Sequence, residues 1–280
     1  MIITEQDLIA ESKFDFLTNL LYNIYIKKIM NRSKKSMRAI VVSDIHGDYE
    51  ALINYLTSVN FNEDEDMLIS LGDNFDRGSG NLEVYHFLQR LPHKILIMGN
   101  HELALLDILK NGRPDKIDLY NGTVRTIADL AGCRIPQAYW GMAAIDAARR
   151  TGIESWIKNE FQWYFETDEY IFVHGWIPTK HPHDDEYLPL DEATGSDWFA
   201  AAWCNTEKKI AAFRNVFPHG MDKTIVFGHW GTSLLYENID GVKLDQTNYG
   251  KIWKNDQLKL IGLDCTTAIT HHIEGLIIEV

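Results

Sequence analysis

Three times in the first half of the chain, a short apolar run ends in a polar, glycine-bearing loop and gives way to a helical pattern. Ala39–Val42 leads through Ser43-Asp44-Ile45-His46-Gly47-Asp48 to a helix over Tyr49–Ser58. Met67–Leu71 leads through Gly72–Gly80 to a helix over Asn81–Arg90. Lys94–Met98 leads through Gly99-Asn100-His101-Glu102 to a helix over Leu103–Lys110. Apolar, β-branched runs this short suit strands buried on both faces, and consecutive strand–helix units imply parallel strands with right-handed crossovers. All three polar loops then lie at the carboxyl ends of the strands, where open α/β sheets place their sites. Further strands are expected at Tyr170–Val173, ending at His174, and at Thr224–Phe227, ending at Gly228-His229. Leu258–Leu263 and Leu276–Val280 complete the set.

Between these strands, residues 111–165 read as a helical insertion over the sheet, and Trp198–Asn215 as one helix. Residues 4–30 read as a surface helix with an apolar face of Phe16, Leu17, Leu20, Leu21, Ile24 and Ile29, followed by a basic linker. The expected division is therefore 1–36 for helix and linker and 37–280 for the main domain. Lys and Arg number 27 against 40 Asp and Glu, a net charge of −13, which argues against a nucleic-acid polymer as partner. No apolar run approaches the roughly 18 residues of a membrane span, and the first residues carry acids where a signal peptide carries bases. Cys133, Cys204 and Cys265 are far apart in sequence, which fits a reducing cytoplasm better than a disulfide framework.

The polar residues that follow the expected strands are Asp44, His46, Asp73, Asn100, His101, His174 and His229. Carboxylates, a carboxamide and imidazoles along one sheet edge make a site for borderline divalent cations such as Mn, Fe or Zn. A carboxylate has two oxygens and can serve two ions, and a two-metal centre suits hydrolytic displacement at phosphorus.

Asp44-Ile45-His46-Gly47, Gly72-Asp73-Asn74-Phe75-Asp76-Arg77-Gly78 and Gly99-Asn100-His101-Glu102 closely resemble the three signature motifs of the phosphoprotein phosphatases, within the calcineurin-like metallophosphoesterases. Val173-His174-Gly175 and Phe227-Gly228-His229 resemble the two downstream histidine motifs, and Asn121-Gly122 with Thr126 resembles a remnant of a further family segment. The resemblance implies an α/β fold, a metallophosphoesterase-type β-sandwich flanked by helices, with the C-terminal strands forming much of the second sheet. It implies two divalent transition-metal ions, Mn foremost. Asp44 and His46 hold the first, Asp73 bridges, and Asn100, His174 and His229 hold the second. Arg77 and Asn100 bind the phosphate oxygens, His101 donates a proton to the leaving oxygen, and Asp76 orients His101. The implied activity is phosphomonoester hydrolysis, foremost of serine/threonine phosphoproteins, by direct attack of a metal-bridging hydroxide.

Three departures from the family pattern bear on substrate. A second phosphate-clamping Arg is expected after a Trp, but Trp203 is followed by Cys204 and Asn205, leaving Arg214 as a distant stand-in. Asp264 is followed by Cys265-Thr266-Thr267 instead of a glycine. Trp176 and Trp230 replace smaller residues beside the histidine motifs and are expected to wall the cleft. The acidic stretch 181–197 disfavours a polyphosphate tail if it borders the cleft. The His229-Trp230 dipeptide points instead to a dinucleoside polyphosphate hydrolase, the alternative activity. A catalytically dead metal-binding scaffold is a third reading, but it should have lost a ligand or His101, and neither is lost.

Overall fold

The computed structural model of the protein describes residues 36–180, 186–243 and 250–280. The helix expected over residues 4–30 and most of its basic linker lie outside the described residues.

The described residues build two five-stranded sheets. In the first, β1 (Arg38–Val42), β2 (Met67–Ser70) and β3 (Lys94–Ile97) run parallel, as the three repeated units require. Between them run helices α1 (Tyr49–Ser58) and α2 (Asn81–Arg90), and α3 (Asn100–Asn111) follows β3. In the second, β6 (Tyr170–Val173), β7 (Thr224–Phe227) and β9 (Leu260–Gly262) are parallel, with β5 (Tyr164–Glu166) and β8 (Trp253–Asn255) antiparallel at the edges.

Burial on both faces, expected from the apolar runs, is visible residue by residue in β1. Ile40 and Val42 pack into the layer between the first sheet and its helices. Ala39 and Val41 point the other way, into the layer between the sheets, with Ile69, Ile97, Phe172 and Val226. A third apolar layer, around Trp176, Phe213 and Phe227, lies on the outer side of the second sheet. The α/β sandwich flanked by helices is therefore the observed architecture. Among the described residues no helix is long and apolar enough to cross a membrane.

Four expectations need correction. The final strand, β10 (Leu276–Glu279), does not join the second sheet but pairs antiparallel with β1, Arg38 opposite Glu279. A four-residue apolar run fixes strand type, not partner. Residues 111–165 are helical only to Glu160, with α4 (Lys116–Asn121), α5 (Thr123–Ala131), α6 (Ile135–Trp140), α7 (Met142–Arg150) and α8 (Ile153–Glu160). Then Phe161–Gln162 adds β4 to the edge of the first sheet, and Tyr164 begins β5 in the second. Strands of two and three residues carry no period to read. The helix expected over Trp198–Asn215 is two, α9 (Gly195–Ala202) and α10 (Thr206–Val216), with Asn205 capping the second through its side chain on the Lys208 N–H. Trp176 does not wall a cleft. It is 1% exposed and packs edge-on against Phe213 and Phe227.

Candidate metal centre and active site

The loops after β1, β2, β6 and β7 converge with the first turn of α3, which holds Asn100 and His101 where a loop was expected, and the loops bring Asp44, His46, Asp73, Asp76, Arg77, His174 and His229 to the same place. Asp44, His46, Asp73, Asp76, Asn100, His101 and His174 are all buried, and His229 is nearly so. The backbone there is unusual. Asp44, His46, Asp73, Asp76, Arg77 and His229 all have positive φ, from 50° to 76°. Such conformations cost of the order of 1–3 kcal/mol each and persist only where the surroundings enforce them. Here the loops enforce one another, with Asp44 N–H on the Gly72 carbonyl, His46 N–H on that of Asp73 and Gly47 N–H on that of Asn74.

Glu102 is the main tie. Its Oε2 accepts from the N–H groups of Gly99 (2.9 Å) and Asp73 (2.8 Å), and its Oε1 from the Asn74 N–H (2.8 Å). One buried carboxylate thus joins the β2 loop to the start of α3. The second sheet is tied in by His229 N–H, which donates to Asp44 Oδ2 at 2.9 Å. Gly228 permits this approach, since a Cβ there would fall 2.3 Å from that same oxygen.

Each candidate ligand has one atom anchored and one left facing inward. Asp44 Oδ2 accepts from Ser43 Oγ and from His229 N–H, leaving Oδ1, 3.9 Å from His46 Nε2. His46 Nδ1 sits 3.1 Å from the Phe75 carbonyl, His174 Nδ1 2.8 Å from that of Leu71, and His229 Nε2 3.0 Å from that of Cys204. A ring nitrogen bonded to a carbonyl carries the proton, so neutral His46 and His229 turn a lone pair inward, as metal ligation demands, while His174, whose Nε2 also meets carboxylate and carboxamide oxygens, must give up a proton to ligate. Asp73 faces two ways. Its Oδ1 lies 3.3 Å from His174 Nε2, and its Oδ2 3.9 Å from His46 Nε2 and 3.8 Å from His101 Nε2. Two clusters able to hold a cation, His46–Asp73–His101 and Asp73–His174–His229, share Asp73. Asn100 Oδ1 is 2.9 Å from His174 Nε2 and joins the second.

The donor set fits a pair of borderline divalent cations, and so do its protonation states. Burial pushes Asp44 up to about 6, with the Asp73 charge adding to it. Burial also drives Asp264 well above the usual carboxylate range, with Asp44 contributing. Burial would lower His174, but the Asp73 carboxylate outweighs it and brings the ring up to about 9. Burial, reinforced by His174, takes His229 down to about 4. Burial thus makes Asp44 and Asp264 hold protons more tightly than ordinary carboxyls, while the His174 and His101 charges overcome burial and keep Asp73 well below the usual carboxylate range. Divalent cations would compensate the buried acids and displace the His174 proton.

His101 belongs to a second arrangement. Its Nδ1 lies 2.6 Å from Asp76 Oδ2, and its Nε2 faces the site, 3.3 Å from an Arg77 guanidinium nitrogen. Burial would lower this imidazole, but Asp73 and Asp76 overcome that and hold it at about 8. His46–Asp73–His101 is the compact geometric triad, yet this bond to Asp76 protonates His101 at Nδ1 and marks it off from the rings anchored on carbonyls. Arg77 alone in this group is exposed, with its other guanidinium nitrogen 2.9 Å from His46 Nε2, so it stands at the mouth.

A sequence model of the calcineurin-like phosphoesterase family matches residues 37–261. The chain belongs to this family. As a calcineurin-like phosphoesterase it is a metal-dependent hydrolase of phosphoric esters. Serine/threonine-protein phosphatase 2 of Salmonella typhimurium is 51% identical over 194 residues, which span 68% of this chain and 78% of that protein. The symmetrical bis(5'-nucleosyl)-tetraphosphatase of Legionella pneumophila is 42% identical over 76 residues, 27% of this chain and 28% of that one. A solved cold-active protein tyrosine phosphatase shares the fold, with a TM-score of 0.53 at 18% identity over 88% of this phosphoesterase and 74% of that chain.

Some participants were not foreseen. Sequence reading passed over Thr123, whose hydroxyl donates to Asp76, and the Cys204 carbonyl that anchors His229. A buried hydroxyl leaves no mark in a pattern, and a backbone carbonyl leaves none at all. Arg214 is exposed on α10. Asp48 caps α1 on the Ala51 N–H and also meets His271 Nδ1 at 2.7 Å.

Proposed function

We propose that this phosphoesterase is a binuclear phosphomonoesterase acting on phosphorylated serine and threonine side chains. The two-sided placement of Asp73, one oxygen toward His174 and the other toward His46, carries the binuclear reading. Asp44 through Oδ1 and His46 through Nε2 would hold one ion, Asn100, His174 and His229 the other, and Asp73 both. When bound, divalent ions at such a site lower the pKa of water and neutralise charge on phosphoryl oxygens; Mn suits this mixed oxygen and nitrogen set.

The remaining steps belong to the chain's own groups. Arg77 offers a planar fork of donors at the mouth and grips two phosphate oxygens, which fixes the phosphorus in line. The Asn100 carboxamide adds a polar contact from the floor. His101 passes its Nε2 proton to the departing oxygen while Asp76 holds the opposite ring edge. A serine alkoxide is a very poor leaving group and needs that proton, whereas a departing phosphate needs it far less. A buried imidazole anchored on Asp76 at this position therefore favours alkyl monoesters. The extent of identity to serine/threonine-protein phosphatase 2 supports the same substrate class. The free state of Cys133, Cys204 and Cys265 supports action in a reducing cytoplasm.

Hydrolysis of dinucleoside polyphosphates is the second reading. It draws support from the half-buried Trp230 ring, 6.2 Å from that of His229, and from the identity to the tetraphosphatase. One panel separates the two, comparing a phosphoserine peptide, diadenosine tetraphosphate and an aryl phosphate at equal concentration with Mn. Higher kcat/KM on the phosphopeptide is expected. The reverse order, by tenfold or more, refutes the phosphoprotein assignment.

A further inference from the structure

We infer that Thr123 and Thr126, on the helical insertion, are positioning residues for the proton donor, and that their hydroxyls lock the Asp76 carboxylate onto His101. This rests on the reading of His101 as the general acid. Thr123 Oγ1 donates to Asp76 Oδ2 at 2.6 Å, the same oxygen that meets His101 Nδ1 at 2.6 Å. Thr126 Oγ1 donates to the other oxygen, Oδ1, at 2.5 Å and accepts from the Asp76 N–H at 3.1 Å, closing a ring around that residue. Asp76, Thr123 and Thr126 are 0% exposed and His101 is 2% exposed.

The two threonines stand three apart at the start of α5, on one face of one turn, so both hydroxyls reach one carboxylate. That turn is pressed against the Asp76–Arg77 backbone. Gly122, with φ of 96°, would place a Cβ 2.3 Å from the Arg77 nitrogen. The same helix holds Asn81 through Asp129 Oδ2 at 2.8 Å, and Asn81 Oδ1 in turn accepts from the Asp76 N–H at 2.8 Å. With both oxygens and the backbone N–H engaged, the carboxylate cannot rotate away from the imidazole. His101 Nδ1 keeps its proton and its direction, and Nε2 keeps facing the leaving oxygen. An ionised carboxylate only accepts, so the threonines are the donors, and no methyl group of equal shape replaces them.

The test compares Thr126→Val, Thr123→Val and Thr126→Ser with the full-length protein and with His101→Asn. Kinetics on a phosphoserine peptide and on p-nitrophenyl phosphate are read alongside metal content. The downfield His101 Nδ1–H proton resonance, assigned by its loss in His101→Asn, is followed by NMR. Each Val variant should lose about 10- to 50-fold in kcat on the phosphopeptide, below the roughly 10²–10⁴-fold worth of the acid itself because the imidazole remains, and less than about 3-fold on the aryl ester. KM should hold, the resonance should move or broaden, and Thr126→Ser should restore both. If Thr126→Val does not fold, Thr123→Val carries the same comparison with the Thr126 ring intact. Val variants that match the wild type on the phosphopeptide, or that lose equally on both substrates with metal retained, overturn the inference. A His101→Asn variant without leaving-group bias overturns the acid reading instead.

Discussion

Replacing Glu102 by Gln changes one atom and removes a charge, yet it should damage both the fold and the site. Glu102 Oε2 accepts from Gly99 N–H and Asp73 N–H, and Oε1 accepts from Asn74 N–H and, at 3.2 Å, from Asn74 Nδ2. A glutamine keeps one oxygen and places an NH₂ where the other stood, so one pair of buried donors faces a donor. Leaving a buried N–H unsatisfied costs about 1–3 kcal/mol each. Burial raises the Glu102 carboxyl above its ordinary value, which shows that its charge is costly to keep there, and losing that charge returns part of the penalty. The net destabilisation is about 2–4 kcal/mol, a fall in Tm of roughly 5–15 °C for a chain of this length. Because the bonded N–H groups belong to the two loops that carry Asp73 and Asn100, Mn affinity should also weaken by roughly 10–100-fold. Thermal unfolding in chelator and calorimetric titration with Mn measure the two effects. Exposed Glu83→Gln on α2 is the control. A Tm within 2 °C of the control, with unchanged Mn affinity, would refute the idea that Glu102 ties the loops.

Asp73→Asn should lower bound metal from near two ions per chain to one or fewer and cost activity on every substrate; two ions retained at full affinity would remove Asp73 from the bridging position. A chain beginning at Met37 should keep its turnover on an aryl phosphate, because Met37 is already locked to Val280 by paired backbone bonds of 2.8 and 2.9 Å; a folded, metal-loaded but inactive product would reassign residues 1–36 to the site. In chelator, the His101 pKa of about 8 lies above the ordinary 6.5, so the folded state binds the proton more tightly than the unfolded one. Its stabilisation, about 2 kcal/mol, is complete below pH 6.5 and lost as pH rises through 8. The Tm difference between wild type and His101→Asn should shrink over that window; a constant difference contradicts the assignment.

The sequence made most of the first sheet legible because β1, β2 and β3 are apolar on both faces and each is followed by a helix of clear period. Helices at Tyr49–Ser58 and Asn81–Arg90 lie where the periodicity puts them. Strand partnership was not legible. Leu276–Glu279 pairs with β1, a partner its short run does not specify, and β4 and β5 are too short to carry a pattern. The candidate site was readable as far as it consists of acids, imidazoles and a carboxamide after strands, and all of these meet. The supports were harder to see, since the Thr123 hydroxyl and the Cys204 carbonyl look like any others in a sequence. Trp176 misled because an indole beside a motif histidine reads equally well as cleft wall or core, and the surrounding Phe213 and Phe227 decide for the core.

The candidate ligands come from both sheets. Asp44, His46, Asp73 and Asn100 hang from the first, His174 and His229 from the second, and the layer holding the two apart is made of residues such as Val41, Ile69, Phe172 and Val226. Removing volume from that layer is expected to let the sheets shift, and with them the gap between the two halves of the proposed ligand set. Variation there is therefore answerable to two masters. A substitution such as Val226→Ala, mild enough for the fold to survive, should still be rejected wherever turnover matters, whereas trimming the outer layer around Phe213 by the same volume should be tolerated in proportion to stability alone. The interior of this protein is expected to drift unevenly, slowest in the seam between its sheets.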